Sequence, residues 1–198
     1  MYSPDIENLI QAFKKLPTVG QRTAERHVFH LLKSGKKEVG ELILALKKLT
    51  SNIKSCQTCW NFSNTDPCAI CANLNRDKSI ICIISQSQDI PVIEQTGKFN
   101  GLYHILRQTI KIDNQASLKN SKINELFARI KKDKNIKEVI LALNLDLNGE
   151  TTMMYLSKQL IKVNSNIKIT RLARGLPMNS DLQYADEITL GEAIKNRK

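Results

Sequence analysis

Four cysteines constrain this chain more than any other feature. Cys56-Gln57-Thr58-Cys59 and Cys68-Ala69-Ile70-Cys71 are two C-x-x-C pairs separated by eight residues. Each pair can place two thiolates on one ion through a tight knuckle turn, and four such sulfurs close a tetrahedral zinc site with no open position for chemistry. The spacing therefore predicts one structural Zn²⁺ per chain on Cys56, Cys59, Cys68 and Cys71, a staple with no catalytic role. A redox dithiol or a disulfide pair is the competing reading, but a redox C-x-x-C needs no second copy, and a reducing compartment keeps thiols free. The fifth cysteine, Cys82, falls inside the apolar run Ile80-Ile81-Cys82-Ile83-Ile84 and is expected to be a buried, inert thiol.

Charge adds the second constraint. The 198 residues carry a net charge of +11, spread along the chain, with no isolated basic tail. A field of that sign attracts polyanions, and nucleic acid is the commonest of them. Lys outnumbers Arg 22 to 8, so part of the surplus is solvated surface. No stretch approaches the roughly 18 unbroken apolar residues of a membrane span, and the first residues carry Asp5 and Glu7 where a leader would be basic. The expected address is the cytoplasm, with no membrane partner.

Apolar periodicity divides the chain in two. Ile6, Leu9, Ile10, Phe13 and Leu16 recur on one helical face, with Ser3 as expected N-cap and Pro4 at the first helical position. Leu16-Pro17-Thr18-Val19-Gly20 interrupts that stripe, and Ala24, Val28, Leu31 and Leu32 restart it until Ser34-Gly35. A third stripe of Val39, Leu42, Leu46, Leu49 and Ile53 predicts one helix over residues 36–54, packed on the first two. Beyond the cysteines the pattern changes to runs of strand length at 80–84, 102–106, 139–143 and 167–170, with helical segments near 121–134 and 150–163. Continuously apolar strands are covered on both faces, which points to a mostly parallel α/β sheet.

The interrupted helix pair is a candidate anion grip. Gly20 would close a hairpin at the start of the next helix, so that backbone N–H groups and the positive dipole end face an anion, with Arg22 and Arg26 following. Such a device holds phosphate without reading sequence. An ordinary αα-hairpin with solvated arginines fits the same spacing.

Taken in order, Leu16-Pro17-x-x-Gly20, Arg22-Thr23-Ala24-Glu25-Arg26, the paired C-x-x-C, Ile93-Glu94-Gln95-Thr96-Gly97, Gly101-Leu102-Tyr103-His104, Glu138-Val139-Ile140-Leu141-Ala142 and Arg174-Gly175-Leu176-Pro177 resemble RecR, the bacterial recombination mediator family. The resemblance covers nearly the whole chain. It implies a multidomain α/β protein: a helix-hairpin-helix DNA-binding domain over 1–54, a C4 zinc finger over 55–78, a Toprim domain over 79–173 and a C-terminal oligomerisation segment over 174–198. It further implies a non-enzymatic DNA-binding clamp, a homo-oligomer expected to be a ring tetramer. Such a clamp acts on single- and double-stranded DNA with RecO and RecF, to load recombinase at single-stranded gaps. Gly20, Arg22 and Arg26 would touch DNA, and Glu150 would lie on the face that RecO contacts.

Departures from the family pattern bear on that reading. Thr18 stands where the family hairpin has glycine, so a left-handed backbone there would be strained. Around 107–118 a glycine-rich loop is replaced by Arg107-Gln108-Thr109 and the polar run Asp113 to Ser117, and Asn148 stands where Glu is common. Toprim nucleases hold Mg²⁺ on a Glu after the first strand and a D-x-D loop after a later one. Here Ser85 takes the first place, and only Asp146, Glu150 and the distant Asp89 remain. A Mg²⁺-dependent Toprim nuclease is thus the rival from the enzyme class, and a basic, zinc-stapled RNA-binding module the rival from the structural class. His27 and His30, three apart on a helix, have no acid beside them, His104 is expected to pack within its strand, and Arg171 and Arg174 are expected either to reach DNA or to cap carbonyls.

Overall fold

The computed structural model describes residues 2–111 and 116–197. Two compact units emerge, Met1–Ile53 and Lys54–Lys198. The first is three helices, α1 (Pro4–Lys14), α2 (Gln21–Ser34) and α3 (Lys36–Asn52). Pro4 occupies the first turn of α1 and Ser3 the N-cap position, but the Ser3 side chain makes no capping bond. Ile10 packs against Ala24 and Val28, with Ile6, Phe13 and Val19 around them.

The stripe of α3 departs from expectation. The helix forms where the periodicity places it, yet none of its residues is buried, and Leu42, Ile43, Leu44, Leu46 and Leu49 all face solvent. Three helices of this length have too little surface to cover each other's apolar faces, so the pattern specifies a helix but leaves its stripe unpartnered within the unit.

The second unit opens with a two-stranded antiparallel ribbon, β1 (Lys54–Ser55) with β2 (Phe62–Ser63), then the short α4 (Ala69–Ala72). Four parallel strands follow, β3 (Asp77–Ile84), β4 (Gly101–Ile105), β5 (Glu138–Leu141) and β6 (Lys168–Arg171), in the order β4-β3-β5-β6. Between them run α5 (Asp89–Gln95), α6 (Ala116–Asn120), α7 (Ile123–Lys132) and α8 (Leu147–Val163); α9 (Glu187–Lys195) ends the chain. The apolar runs are covered on both faces as expected. Ile81 and Ile83 of β3 and Val139 and Leu141 of β5 enter the core with α7 and α8. Cys82 and Ile84, with Tyr103 and Ile105 of β4, enter a second core with α5 and the cysteines of the finger. The period of two along each strand thus divides one apolar run between two cores. Among the described residues no helix is long and apolar enough to cross a membrane.

Candidate zinc centre and nucleic-acid interface

The Sγ atoms of Cys56, Cys59, Cys68 and Cys71 all lie within 4.8 Å of one another, and three of the four residues are buried. Knuckle geometry is visible in the backbone: Trp60 N–H donates to the Cys56 carbonyl at 2.8 Å, and Cys68 N–H points at Cys56 Sγ at 3.4 Å. Such N–H···S contacts stabilise thiolate on a metal. Crowding of the four sulfurs sets their ionisation apart. Cys68 is held low because it accepts hydrogen bonds from Cys59 and Cys71, while the bond to Cys68 pushes Cys59 up and the bond to Cys59 pushes Cys71 up. Four sulfurs of this arrangement fit a tetrahedral Zn²⁺, whose charge removes that conflict. Among the described residues they are also the one group of three or more His, Cys, Asp or Glu side chains converging as ligands.

The finger does more than hold itself together. Ile105 N–H on the outer edge of β4 donates to the Cys59 carbonyl at 2.8 Å, and Arg129 of α7 donates to the Tyr103 carbonyl at 2.8 Å on the same edge. An uncovered parallel edge strand would leave such groups open to pairing with another chain. The knuckle therefore closes the sheet at the β4 side. Arg129 also feels the cysteine sulfurs, which oppose the downward push that burial puts on its guanidinium. A zinc tetrathiolate carries net negative charge, so it and Arg129 are natural neighbours.

In the first unit, Gly20 is the N-cap of α2 in extended backbone, φ −83° and ψ 176°, with no side chain capping the helix and no acid in its first turn. A Cβ at Gly20 would meet nothing within 4 Å, so the glycine leaves the helix start open without being demanded by packing. Arg22 and Arg26 follow, exposed and in no ion pair among the described residues. Thr18 does adopt the left-handed region, φ 64°, its hydroxyl donating to the Pro17 carbonyl at 2.6 Å. For a β-branched side chain that backbone is strained. His27 and His30 are exposed; His27 lies against Phe13 and His30 against Ser34.

The carboxylates that a nuclease would need are each engaged elsewhere. Asp89 Oδ2 accepts from Gln86 N–H at 2.9 Å, and Asp146 caps α8 by accepting from Gly149 N–H at 2.6 Å. Glu150 stands in the first turn of α8 and binds both Arg171 and Arg174. Those two arginines reach a carboxylate rather than backbone carbonyls, because the end of β6 lies beside the start of α8. Ser85 is buried, with its hydroxyl unpartnered among the described residues. Of the polar run after Arg107, Asp113 to Gln115 lie outside the described residues.

The comparisons agree with this arrangement domain by domain. Family models match for the RecR helix-hairpin-helix over 6–50, the RecR four-cysteine zinc finger domain over 53–73, the Toprim domain over 79–173 and the RecR C-terminal region over 175–198. Recombination protein RecR from each of two strains of Clostridium perfringens is 46% identical over 196 residues, covering 99% of this chain and 97% of theirs. The chain belongs to the RecR family. Its zinc finger, Toprim domain and helix-hairpin-helix are therefore those of that family, and the four clustered cysteines of the finger could hold one metal ion.

Several further residues prove structural. Glu94 binds Arg76 and accepts from the Tyr103 hydroxyl at 2.5 Å, an arrangement that holds the carboxyl below its usual range, chiefly through Arg76. Gly97 takes φ 63° just beyond α5. At Gly149 a Cβ would come within 1.9 Å of the Asn144 carbonyl, so only glycine lets α8 start there. His104 is fully buried, its Nε2 at 2.8 Å from the Lys122 carbonyl, and burial pulls it down to about 4. Cys82 is buried and pushed up to about 12 by burial, an inert thiol as expected.

Proposed function

We propose that the chain is a DNA-binding clamp of recombinational repair rather than an enzyme, gripping phosphates through Gly20, Arg22 and Arg26. The observation that carries this is the uncapped start of α2 followed by two exposed arginines in no ion pair. Helix N–H groups and guanidinium groups together favour phosphate of any sequence, single- or double-stranded. The engagement of Asp89, Asp146 and Glu150 in caps and ion pairs supports a non-catalytic Toprim domain. The name of the relatives supports recombination as the setting.

A clamp needs copies, and each unit offers an apolar surface for one: the stripe of α3, and Tyr184, Ile188 and Ile194 around α9. Two separate contacts per chain close a ring, which is how the proposed tetramer would encircle DNA. Glu150, with Arg171 and Arg174, belongs to the face assigned to RecO, and RecF completes the set that loads recombinase at gaps. The division into four functional parts at 1–54, 55–78, 79–173 and 174–198 belongs to the same reading.

The test is the salt dependence of DNA binding. Each phosphate contact contributes about 0.9 to the slope of log K against log salt on duplex DNA. Arg22→Ala/Arg26→Ala should flatten the slope and weaken all sequences alike, with zinc content and oligomer size unchanged. Unchanged affinity at low salt in the folded double variant would remove the hairpin as the grip.

A further inference from the structure

Arg107 follows β4 with φ +62°, in the left-handed region that glycine enters freely and other residues enter at a cost. Its side chain is nevertheless fixed. Nε donates to the Trp60 carbonyl at 3.1 Å and Nη2 to the Ser55 hydroxyl at 2.7 Å. The guanidinium lies 4.4 Å from the centre of the Phe62 ring and 5.9 Å from that of Trp60, whose own φ is +66°. Lys122 adds a second cation, its ammonium 3.9 Å from the centre of the Trp60 ring. Two strained backbone positions thus hold a cation–aromatic stack on the finger's β2.

Phe62, Gln86, Ser87, Gln88 and Arg107 line a cleft of about 240 Å³. Phe62 is 57% exposed despite the arginine beside it. The Ser87 hydroxyl is buried and has no hydrogen-bond partner among the described residues. Arg107 makes no ion pair among them either, and a guanidinium with five N–H donors has some to spare. The cleft opens at the carboxyl ends of β3 and β4, where parallel sheets take ligands.

The lining chooses the ligand. One apolar ring favours a planar partner, the guanidinium favours an anion, and carboxamides and a hydroxyl suit the edges of a heterocycle; no carboxylate lines the cleft. The volume suits a single ring system and falls short of the roughly 300–1,000 Å³ of sites for larger ligands. We propose that this cleft seats one unpaired base of a single DNA strand, stacked on Phe62, with the adjoining phosphate on Arg107. The inference rests on the nucleic-acid-binding reading above but places a contact in the second unit, distinct from the α2 hairpin. In a duplex the bases are stacked on each other, so the cleft gives selectivity for single strands with little preference among bases.

Trp60 is the sole tryptophan and its ring lies beside the Arg107 guanidinium, so its emission reports on the cleft through that arginine. The wild-type protein is titrated with a short oligothymidylate, an abasic strand of the same length, thymidine monophosphate and a duplex, and the series is repeated with Phe62→Ala, Arg107→Gly and Arg22→Ala/Arg26→Ala. Oligothymidylate should change Trp60 emission and the abasic strand should not. Phe62→Ala should weaken oligothymidylate about fivefold or more and leave the duplex unchanged. Arg107→Gly should do the same while keeping its zinc, because glycine accepts the backbone that arginine strains. The hairpin variant should weaken every ligand, yet keep the preference for oligothymidylate over the abasic strand. Unchanged oligothymidylate affinity in both cleft variants overturns the proposal, whatever the hairpin variant does. So does an abasic strand that binds and quenches equally, or a monophosphate that binds as tightly as the strand. Normal binding by the hairpin variant together with loss in the cleft variants would instead overturn the hairpin reading and leave the cleft.

Discussion

The two units solve the problem of a small core in opposite ways. Met1–Ile53 buries Ile10, Ala24 and Val28 as its core and leaves the apolar stripe of α3 outside, whereas Lys54–Lys198 builds two cores on one sheet and closes the sheet edge with a metal-binding finger. Small domains bury a low fraction of their surface and rely on metals, disulfides or other chains for stability. The second unit carries its remedy within itself. The first leaves the apolar face of α3 open, and the difference teaches that one chain can combine a scaffold closed on itself with a part whose apolar surface stays uncovered within its own unit.

Removing zinc should break the comparison most. Structural zinc in finger peptides contributes apparent binding free energies of about 10–16 kcal/mol, and here the finger also covers β4. Cys59→Ser should lose the metal and raise hydrogen exchange over residues 55–78 and along β4, with α1 and α2 unaffected. Exchange confined to the finger itself would show that the sheet edge does not depend on it.

Acid should separate the units next. His104 sits at about 4 against an unfolded value of 6.5, chiefly because burial opposes its charged form. The unfolded chain therefore takes up the proton first, so its contribution is fully present above pH 6.5 and is lost as pH falls toward 4. The loss is on the order of 3 kcal/mol, and denaturant titrations across that window should record it in the second unit alone. His104→Gln should flatten this slope.

The apolar stripe of α3 gives a smaller effect. A single substitution at a surface that stays exposed changes stability by less than about 0.5 kcal/mol. Leu46→Lys should exceed that and lower the sedimenting mass if a second copy covers the helix. A silent Leu46→Lys would leave the stripe without a partner. Smallest is Thr18→Gly, which relieves the left-handed threonine and should stabilise the first unit by about 1 kcal/mol, after the entropy that glycine adds to the unfolded chain. A thermal melt of the variant measures it.

The zinc ligands were legible because metal coordination needs residue types at a local spacing, and Cys56 to Cys71 carry both. The strands were legible for the same reason: β3 and β5 are apolar on both faces, and covering is the physical condition for that pattern. Sequence also placed α3, since helical period is local, but it could not say whether the stripe of Leu42, Leu46 and Leu49 would be buried, because burial depends on what is left to pack against it. Arg171 and Arg174 found Glu150 because β6 lies beside the start of α8, a proximity that chain order does not encode. The same holds for Arg129 at the edge of β4, Arg76 on Glu94, and Arg107 on Trp60, partners 18 to 47 residues apart that only the folded sheet brings together. Local chemistry and period thus determined which elements and which ligands form, whereas tertiary structure decided which charges meet, which apolar faces stay open and where a cleft remains, since each depends on long-range contacts that close only when the chain folds.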